Sequence, residues 1–238
     1  MTSLVVIPTY DEAGSVADVV TGVLITTECD VLVVDDGSPD GTADIVAAMG
    51  SDEPRINLLR RDEKSGLGPA YRAGFAWGLD RGYDRLVEMD ADGSHRPEDL
   101  PRLLAASQQG ADLVLGSRWV PGGAVLNWPW YRRLISRGGT WYARVMLGLA
   151  VRDVTGGFRV FRAQSLRRLD LADVASQGYC FQIDLLRRTV AAGMRVVEVP
   201  ITFVERTHGR SKMSGAIVRE ALWRVTLWGL QRLRPGRH

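Results

Sequence analysis

The sequence predicts an α/β fold in which a mostly parallel sheet carries helices on both faces. Three observations lead to this prediction. Short, continuous apolar runs recur along the first half of the chain, as parallel strands buried on both faces require. Helical patterns separate these runs from one another. The runs also tend to end in turns rich in Asp, Gly and Ser, where the carboxyl ends of the strands would lie.

The elements follow in order. The first strand is predicted at Leu4–Pro8, and a helix then extends to about Leu24. A second strand at Val31–Val34 leads through a turn of N-cap residues into a helix over Thr42–Met49. The remaining predictions are a strand over Arg55–Leu59, a helix from the Lys64–Gly68 loop to about Gly82, a strand before Asp90, a helix opening at Pro97 and a strand at Asp112–Leu115.

The strand before Asp90 delivers two carboxylates into a Gly/Ser turn. Asp90 and Asp92 are two residues apart, so they can converge on one hard divalent cation and leave positions for phosphate oxygens. That arrangement favours Mg²⁺ or Mn²⁺. Taken alone, Asp-X-Asp is equally compatible with an acidic turn, and His95 beside it could be an outer-shell group or a turn residue.

Other polar residues follow the first two strands. Tyr10 and Glu12 come after the first, and Asp35 and Asp36 after the second, so all should lie at one edge of the sheet, where such folds bind ligands. A nicotinamide-binding domain would need Gly-x-Gly-x-x-Gly after the first strand. The residues there are PTYDE, which excludes that class.

Composition sets further limits. The chain of 238 residues has 45% hydrophobic content, enough for a full core. Cys29 and Cys180 are far apart and predicted to be core residues. No apolar run approaches the roughly 20 residues that span a bilayer, and the N-terminus lacks a signal-peptide pattern. We therefore expect a protein of the cytoplasm rather than an integral membrane protein.

The net charge of +2 hides an asymmetry. Residues 1–117 carry 9 basic and 21 acidic side chains, whereas residues 118–238 carry 21 and 7. The basic half predicts an anionic partner, such as phosphates or an anionic membrane. Solvated helix faces are the alternative. Nucleic acid is not expected, because no nucleic-acid-binding pattern accompanies the charge.

Several motifs resemble family-2 glycosyltransferases of the GT-A fold. Three of them are VVIPTYDE (Val5–Glu12), VVDDGSPDGT (Val33–Thr42) and MDAD (Met89–Asp92). Four others are similar to polyprenol-phosphate (dolichol-phosphate) mannose synthases: LGSR (Leu115–Arg118), NWPWYRRLIS (Asn127–Ser136), DVTGGFR (Asp153–Arg159) and RTHGRSK (Arg206–Lys212). The resemblance implies a catalytic domain over 1–215, and the residue pattern beyond it predicts an amphipathic basic tail over 216–238.

The resemblance also implies roles for individual residues. Pro8, Tyr10, Glu12 and an acid from Asp35/Asp36 would hold the nucleoside of GDP-mannose. Asp90 and Asp92 would bind the metal, with a third ligand, usually Gln in the family, falling at Ser94. Arg118 and Arg132 would meet the phosphate of the polyprenyl phosphate acceptor, and Arg206 and Lys212 the donor diphosphate. Trp128 and Trp130 are alternatively core residues.

The implied reaction agrees with the residues that are missing. The sequence contains no Ser/His/Asp or Cys/His constellation. A hydroxyl acceptor generally needs a general base, whereas a lipid phosphate is already anionic. It needs positioning and charge compensation, which arginines and a cation supply. The family reaction is inverting and gives a β-mannosyl phospholipid.

Two segments predict contact with a membrane surface, at its cytoplasmic face. Ile217–Leu230 has an apolar line at helical spacing through Val218, Leu222, Val225 and Gly229, with Trp223 and Trp228 placed for the lipid boundary. Tyr131–Leu147, with interleaved arginines and aromatic residues, is the second candidate. Packing on the catalytic core or on a membrane-protein partner is the alternative for both.

Three other functions remain open from sequence. The same fold could use another donor, such as UDP-glucose. A phosphatase of the haloacid dehalogenase type also carries Asp-X-Asp after an apolar strand, although usually after its first strand. A non-catalytic membrane adaptor is the third, and the intact acidic motifs argue against it.

Overall fold

The computed structural model describes residues 1–171, 174, 179–206 and 215–232. The strands are β1 (Ser3–Thr9), β2 (Asp30–Asp35), β3 (Ile56–Arg60), β4 (Arg85–Glu88), β5 (Leu113–Ser117), β6 (Ala124–Leu126), β7 (Arg159–Arg162), β8 (Val196–Pro200) and β9 (Thr202–Val204). The helices are α1 (Val16–Thr26), α2 (Thr42–Asp52), α3 (Leu67–Asp80), α4 (Leu100–Gln108), α5 (Trp130–Leu147), α6 (Ala163–Arg167), α7 (Tyr179–Ala191) and α8 (Gly215–Arg232).

The main sheet has seven strands in the order β3-β2-β1-β4-β7-β5-β8. Only β7 among them runs antiparallel to its neighbours β4 and β5. Strands β6 and β9 form a separate parallel pair. The predicted α/β class and mostly parallel sheet are therefore confirmed, and the predicted strands and helices up to β5 appear with boundaries shifted by a few residues.

The core lies in two layers, one on each face of the sheet, because consecutive residues of each strand alternate between them. Leu4 and Val6 of β1 join the layer under α3, α5 and α7, while Val5 and Ile7 join the layer under α1, α2 and α4. Helix α3 lies especially close to the sheet. A Cβ at Gly74 would come within 2.3 Å of a Val6 methyl group, so only glycine permits this approach.

The two predicted membrane segments are helices that pack against each other. Tyr142 of α5 and Thr226 of α8 share a hydroxyl–hydroxyl hydrogen bond of 2.6 Å, and Gly229 lies against Met146. Val225 is buried in the core. The predicted apolar line of α8 thus faces α5 at Val225 and Gly229. Trp228 is half-buried against the core, beneath Arg187, and its predicted place at a lipid boundary stays a prediction.

Other expectations are settled by burial. Cys29 and Cys180 are buried and free, which confirms them as core residues. Trp128 is buried, whereas Trp130 is 77% exposed, so the alternative of a core role is wrong for Trp130. Among the helices that the structure describes, none is both long and apolar enough to cross a membrane.

Candidate active site

The predicted acidic residues meet at the carboxyl ends of β1, β2 and β4. Thr9, the last residue of β1, donates a hydrogen bond to Asp35 at the end of β2 (2.9 Å). In the loops that follow, the Glu12 amide donates to the Thr42 hydroxyl (3.0 Å) and the Ala13 amide to Asp40 (2.9 Å). We call Glu12, Asp35, Asp36, Asp90 and Asp92 the acidic rim. Parallel pairing brings its members to one edge, as expected.

Asp35 and Asp36 have different surroundings. Asp35 is buried and accepts hydrogen bonds from Thr9 and from the amide and hydroxyl groups of Ser38 (2.9 and 2.5 Å). Asp36 accepts from Arg61 (2.7 Å) and from the Ser65 amide (3.2 Å). Asp35 therefore shapes the turn after β2, while Asp36 ties the rim to the loop after β3.

The loop after β3 also reaches the residues after β1. The Lys64 ammonium lies over the Tyr10 ring, 3.7 Å from its centroid. Pro8 is half-buried and pairs in register with Val34 of β2, beside this contact. Lys64 was not among the predicted site residues. As one of two lysines in the chain it stands out in the sequence, but nothing local predicts a partner in another loop.

Asp90 and Asp92 lie in the turn after β4, as predicted, with Ser94 next to them. One carboxylate oxygen of Asp92 accepts from the Ser94 amide (3.0 Å), and the other lies 3.3 Å from the Arg206 guanidinium. Within the described part of the chain, no third Asp, Glu, His or Cys completes a metal-binding cluster with them. The Ser94 hydroxyl is buried, and the described residues give it no hydrogen-bond partner.

This set of groups fits a hard divalent cation. Two carboxylates and a hydroxyl are the oxygen donors that Mg²⁺ and Mn²⁺ accept. Gly157 lies beside them, where a Cβ would be in van der Waals contact with an Asp90 oxygen at 3.7 Å. Arg206 places a positive charge against Asp92, which marks the turn as a site that attracts cations.

The two carboxyls differ in electrostatics. Burial raises the pKa of Asp90, and the neighbouring Asp92 adds to the effect, against the lowering influence of His95. Burial also acts on Asp92, but hydrogen bonding to Ser94 and the charge of Arg206 outweigh it and hold its pKa below the ordinary value. A cation would remove the repulsion between the two groups.

His95 supports this turn from behind. Its Nδ1 accepts a hydrogen bond from the Asp90 amide (3.0 Å), and its buried ring stacks on Phe158 with centroids 5.0 Å apart. The ring also meets Phe203 edge-on at 5.5 Å. His95 therefore holds the backbone of the turn, and a role as an outer-shell group stays a prediction.

A groove opens between α5 and α8, two helices of the arginine-rich second half of the sequence. Its volume is about 130 Å³. Apolar residues of both helices form its walls, and its polar side chains are Arg118, Arg132, Ser136, Tyr142 and Thr155. We call this cavity the α5–α8 groove.

Arg118 lies at the groove in a fixed orientation. Its Nε and one terminal nitrogen donate to the two oxygens of Asp153, both at 2.7 Å, and that terminal nitrogen also donates to Thr155 (2.9 Å). Arg132 forms an ion pair with Glu205, and its guanidinium lies 4.4 Å from the Trp128 ring centroid. Both predicted arginines thus reach one cavity.

The acidic rim and the α5–α8 groove are neighbours. A chain of contacts connects them. His95 accepts from the Asp90 amide and its ring meets Phe203. The Phe203 ring meets Trp128 with centroids 5.3 Å apart, and the Arg132 guanidinium lies over Trp128. Gly157 beside Asp90 is two residues from Thr155 in the groove. Lys212, by contrast, lies outside the described residues, so its position stays a prediction.

Sequence analysis missed four groups at the groove: Ser136, Asp153, Thr155 and Glu205. The first three stand inside the quoted motifs but had no assigned role. Glu205 carries no motif signal, since only the fold brings it to Arg132.

Comparison with known proteins agrees with this geometry. Residues 4–170 match the family described as "Glycosyl transferase family 2". An undecaprenyl-phosphate mannosyltransferase of Micrococcus luteus is 56% identical over 97% of this chain and 95% of its own length. A polyprenol monophosphomannose synthase of Mycolicibacterium smegmatis is 52% identical over 96% of this chain and 87% of its own.

Solved structures share the fold at low identity. The mannosyltransferase PcManGT from Pyrobaculum calidifontis, in complex with GDP-Man and Mn²⁺, superposes with a TM-score of 0.62 at 18% identity, covering 99% of this chain and 65% of that one. A mannosyl-3-phosphoglycerate synthase from Rubrobacter xylanophilus gives 0.65 at 20% identity, with coverage of 100% and 79%.

Proposed function

Since the chain belongs to glycosyltransferase family 2, we propose that it transfers mannose from GDP-mannose to a polyprenyl monophosphate, with inversion at the anomeric carbon. The observation that carries this proposal is the position of the α5–α8 groove. It is apolar along its walls, carries two arginines and lies beside the acidic rim. An amphiphilic phosphate fits such a groove.

The acceptor's phosphate would bind Arg118 and Arg132. Arginine suits this role because its planar guanidinium holds phosphate oxygens in two directions and stays charged at all relevant pH values. The phosphate is itself the nucleophile, so no general base is required. The isoprenoid chain would follow the apolar walls between α5 and α8.

The donor would lie along the acidic rim. Pro8, Tyr10, Glu12 and an acid from Asp35/Asp36 would hold the nucleoside, with Lys64 as a further group beside Tyr10. Asp90, Asp92 and Ser94 would hold Mg²⁺ or Mn²⁺, which compensates the charge of the departing diphosphate when bound. Arg206, now paired with Asp92, and Lys212 would contribute to the same compensation.

The exposed faces of α5 and α8 support a peripheral location on a membrane, and we propose that its cytoplasmic face is the one contacted. Trp130, Trp141 and Trp223 are 77%, 64% and 65% exposed, and Arg133, Arg137 and Arg219 are exposed on the same two helices. Aromatic side chains with interleaved arginines are typical of helices that lie in an anionic lipid interface. Docking there would bring the groove to its lipid. A membrane-protein partner stays a prediction.

The alternatives have less support. Membership of a glycosyltransferase family argues against a phosphatase and against a non-catalytic adaptor. A UDP-glucose donor keeps the fold but finds no counterpart in the names of the two close relatives.

The deciding experiment gives the purified protein labelled GDP-mannose or UDP-glucose together with a polyprenyl phosphate, in Mg²⁺, Mn²⁺ or excess chelator. We expect a lipid-extractable, mannose-labelled product that needs the cation. If only UDP-glucose gives labelled lipid, the donor is UDP-glucose and not GDP-mannose. Release of inorganic phosphate without lipid labelling would overturn the proposal.

A further inference from the structure

Asp153 is a buried carboxylate with an unusual concentration of donors around it. It is fully buried and accepts hydrogen bonds from the backbone amide of Arg118 (3.0 Å), from two side-chain nitrogens of Arg118 (2.7 Å each) and from the Gly156 amide (3.1 Å). Burial opposes its ionisation, but the charge and hydrogen bonds of Arg118 prevail and lower the pKa of Asp153. The group is therefore an anion whose main partner is one arginine.

The turn that carries Asp153 is itself held from below by Arg159. This arginine is fully buried and donates to the carbonyl oxygens of Val154 (3.0 Å), Gly156 (2.8 Å) and Gln182 (2.6 Å). Its Nε lies 3.9 Å from Glu88, its register partner on β4. Asp90 follows Glu88 by two residues. Buried Glu88 and Arg159 therefore connect the proposed metal-binding turn to the turn of Asp153, which holds Arg118.

We propose that Asp153 is a positioning residue for the acceptor phosphate, acting through Arg118. This inference rests on the proposed function, in which Arg118 binds that phosphate. Asp153 grips the Nε edge of the guanidinium and so fixes the direction in which the opposite edge points at the groove. Since Asp153 offsets the charge of Arg118, its contribution is orientation rather than attraction.

Ordering a flexible arginine side chain during binding costs conformational entropy. A long arginine side chain loses rotamer freedom on binding, and a pre-ordered one has already lost it. In-line attack also requires the phosphate oxygen to be placed accurately against the anomeric carbon. Loss of Asp153 should therefore weaken the acceptor while leaving the donor side intact.

The test is a double-mutant cycle of Asp153→Asn and Arg118→Lys. Acceptor KM is measured with a short-chain polyprenyl phosphate, and GDP binding in Mn²⁺ is measured by calorimetry. We expect Asp153→Asn to raise acceptor KM by about tenfold, with GDP affinity changed less than about twofold. The double variant should be no worse than the worse single variant, because both changes remove one unit.

Asp112→Asn serves as the matched control. Asp112 is a carboxylate at the opposite end of β5, where it accepts from Ser165 (2.7 Å) and the Arg195 amide (2.8 Å). This variant should lower thermal stability without changing acceptor KM selectively. If Asp153→Asn does not fold, Thr155→Val removes the second support of Arg118 and should raise acceptor KM by about twofold to threefold.

Three results would overturn the inference. They are an unchanged acceptor KM in both Asp153→Asn and Thr155→Val, equal losses for acceptor and GDP, and additive effects in the cycle. An Arg118→Lys variant with wild-type acceptor KM would refute the placement of the acceptor in the proposed function, and this inference with it. If Arg118→Lys raises acceptor KM while Asp153→Asn leaves it unchanged, the inference fails and the proposed function stands.

Discussion

The acidic rim and the α5–α8 groove lie side by side but are built in opposite ways. The rim consists of carboxylates that lie between the last residue of a parallel strand and the fourth residue beyond it, so it follows from β1, β2 and β4 directly. The groove consists of arginines and apolar side chains that come together only when α8 packs against α5. In the proposed function, one region holds a cation and the other an amphiphilic anion.

This difference indicates how the site divides its work. Each arginine at the groove is balanced by a carboxylate, Arg118 by Asp153 and Arg132 by Glu205, which favours orientation over bulk attraction. At the rim the charge of Asp92 helps to raise the pKa of Asp90, which is buried, and a bound cation would oppose this effect. Changes at the rim should therefore affect turnover as a whole, while changes at the groove should affect one substrate.

The largest effect is expected at the rim. Asp92→Asn removes one anionic ligand, so the charge on the departing diphosphate loses its compensation, and turnover should fall by roughly a hundredfold or more. Initial rates at saturating Mn²⁺ would show it. Asp44→Asn, at an exposed carboxylate paired with Arg60, should behave as wild type. Full turnover of the wild-type protein in excess chelator contradicts a metal role for Asp92.

The same contrast decides what sequence could predict. Strands β1 to β5, the rim and both amphipathic helices follow from local patterns, because strand ends and helix faces are set by neighbouring residues. The antiparallel strand β7 and the pairing of α5 with α8 do not, since they depend on contacts between distant segments. For this reason Glu205 was missed, and the packing of Trp228 against the core was not predicted.

A smaller and more selective effect is expected at Arg132. Arg132→Ala should raise acceptor KM by about tenfold through loss of a charged hydrogen-bonding group, with GDP affinity nearly unchanged. Arg81→Ala is the control, since Arg81 is exposed at the end of α3 and donates to the Trp77 carbonyl. Because Arg132→Ala also leaves Glu205 unpaired near the phosphate, Arg132→Ala/Glu205→Gln separates lost attraction from added repulsion. Equal losses for both substrates would remove the distinction between rim and groove.

The walls of the groove should show an effect of a few-fold. A Cβ at Gly139 would meet open space, and Gly139 lines the groove, so Gly139→Leu should fill part of it. We expect poorer use of a long-chain polyprenyl phosphate. Gly138→Leu places the same side chain on the same helix outside the groove lining. Both changes raise helix propensity, so unfolding cannot explain a difference. Identical kinetics for the two variants would place the lipid elsewhere.

The smallest effect is expected where α8 would meet lipid. Truncating α8 would expose the core around Val225, so a surface substitution is the cleaner probe. Trp223→Ala removes an exposed indole and should weaken binding to vesicles containing anionic lipid by about twofold, as expected for a partly inserted aromatic side chain. Trp228→Ala is the internal contrast. Trp228 packs against the core beneath Arg187, so its loss should lower the thermal midpoint instead.

High salt should release the wild-type protein only in part, because it screens the arginines and leaves apolar insertion intact. Unchanged co-sedimentation of Trp223→Ala would shift the contact to α5, where Trp141 is equally exposed. The groove would then face the membrane through α5 alone.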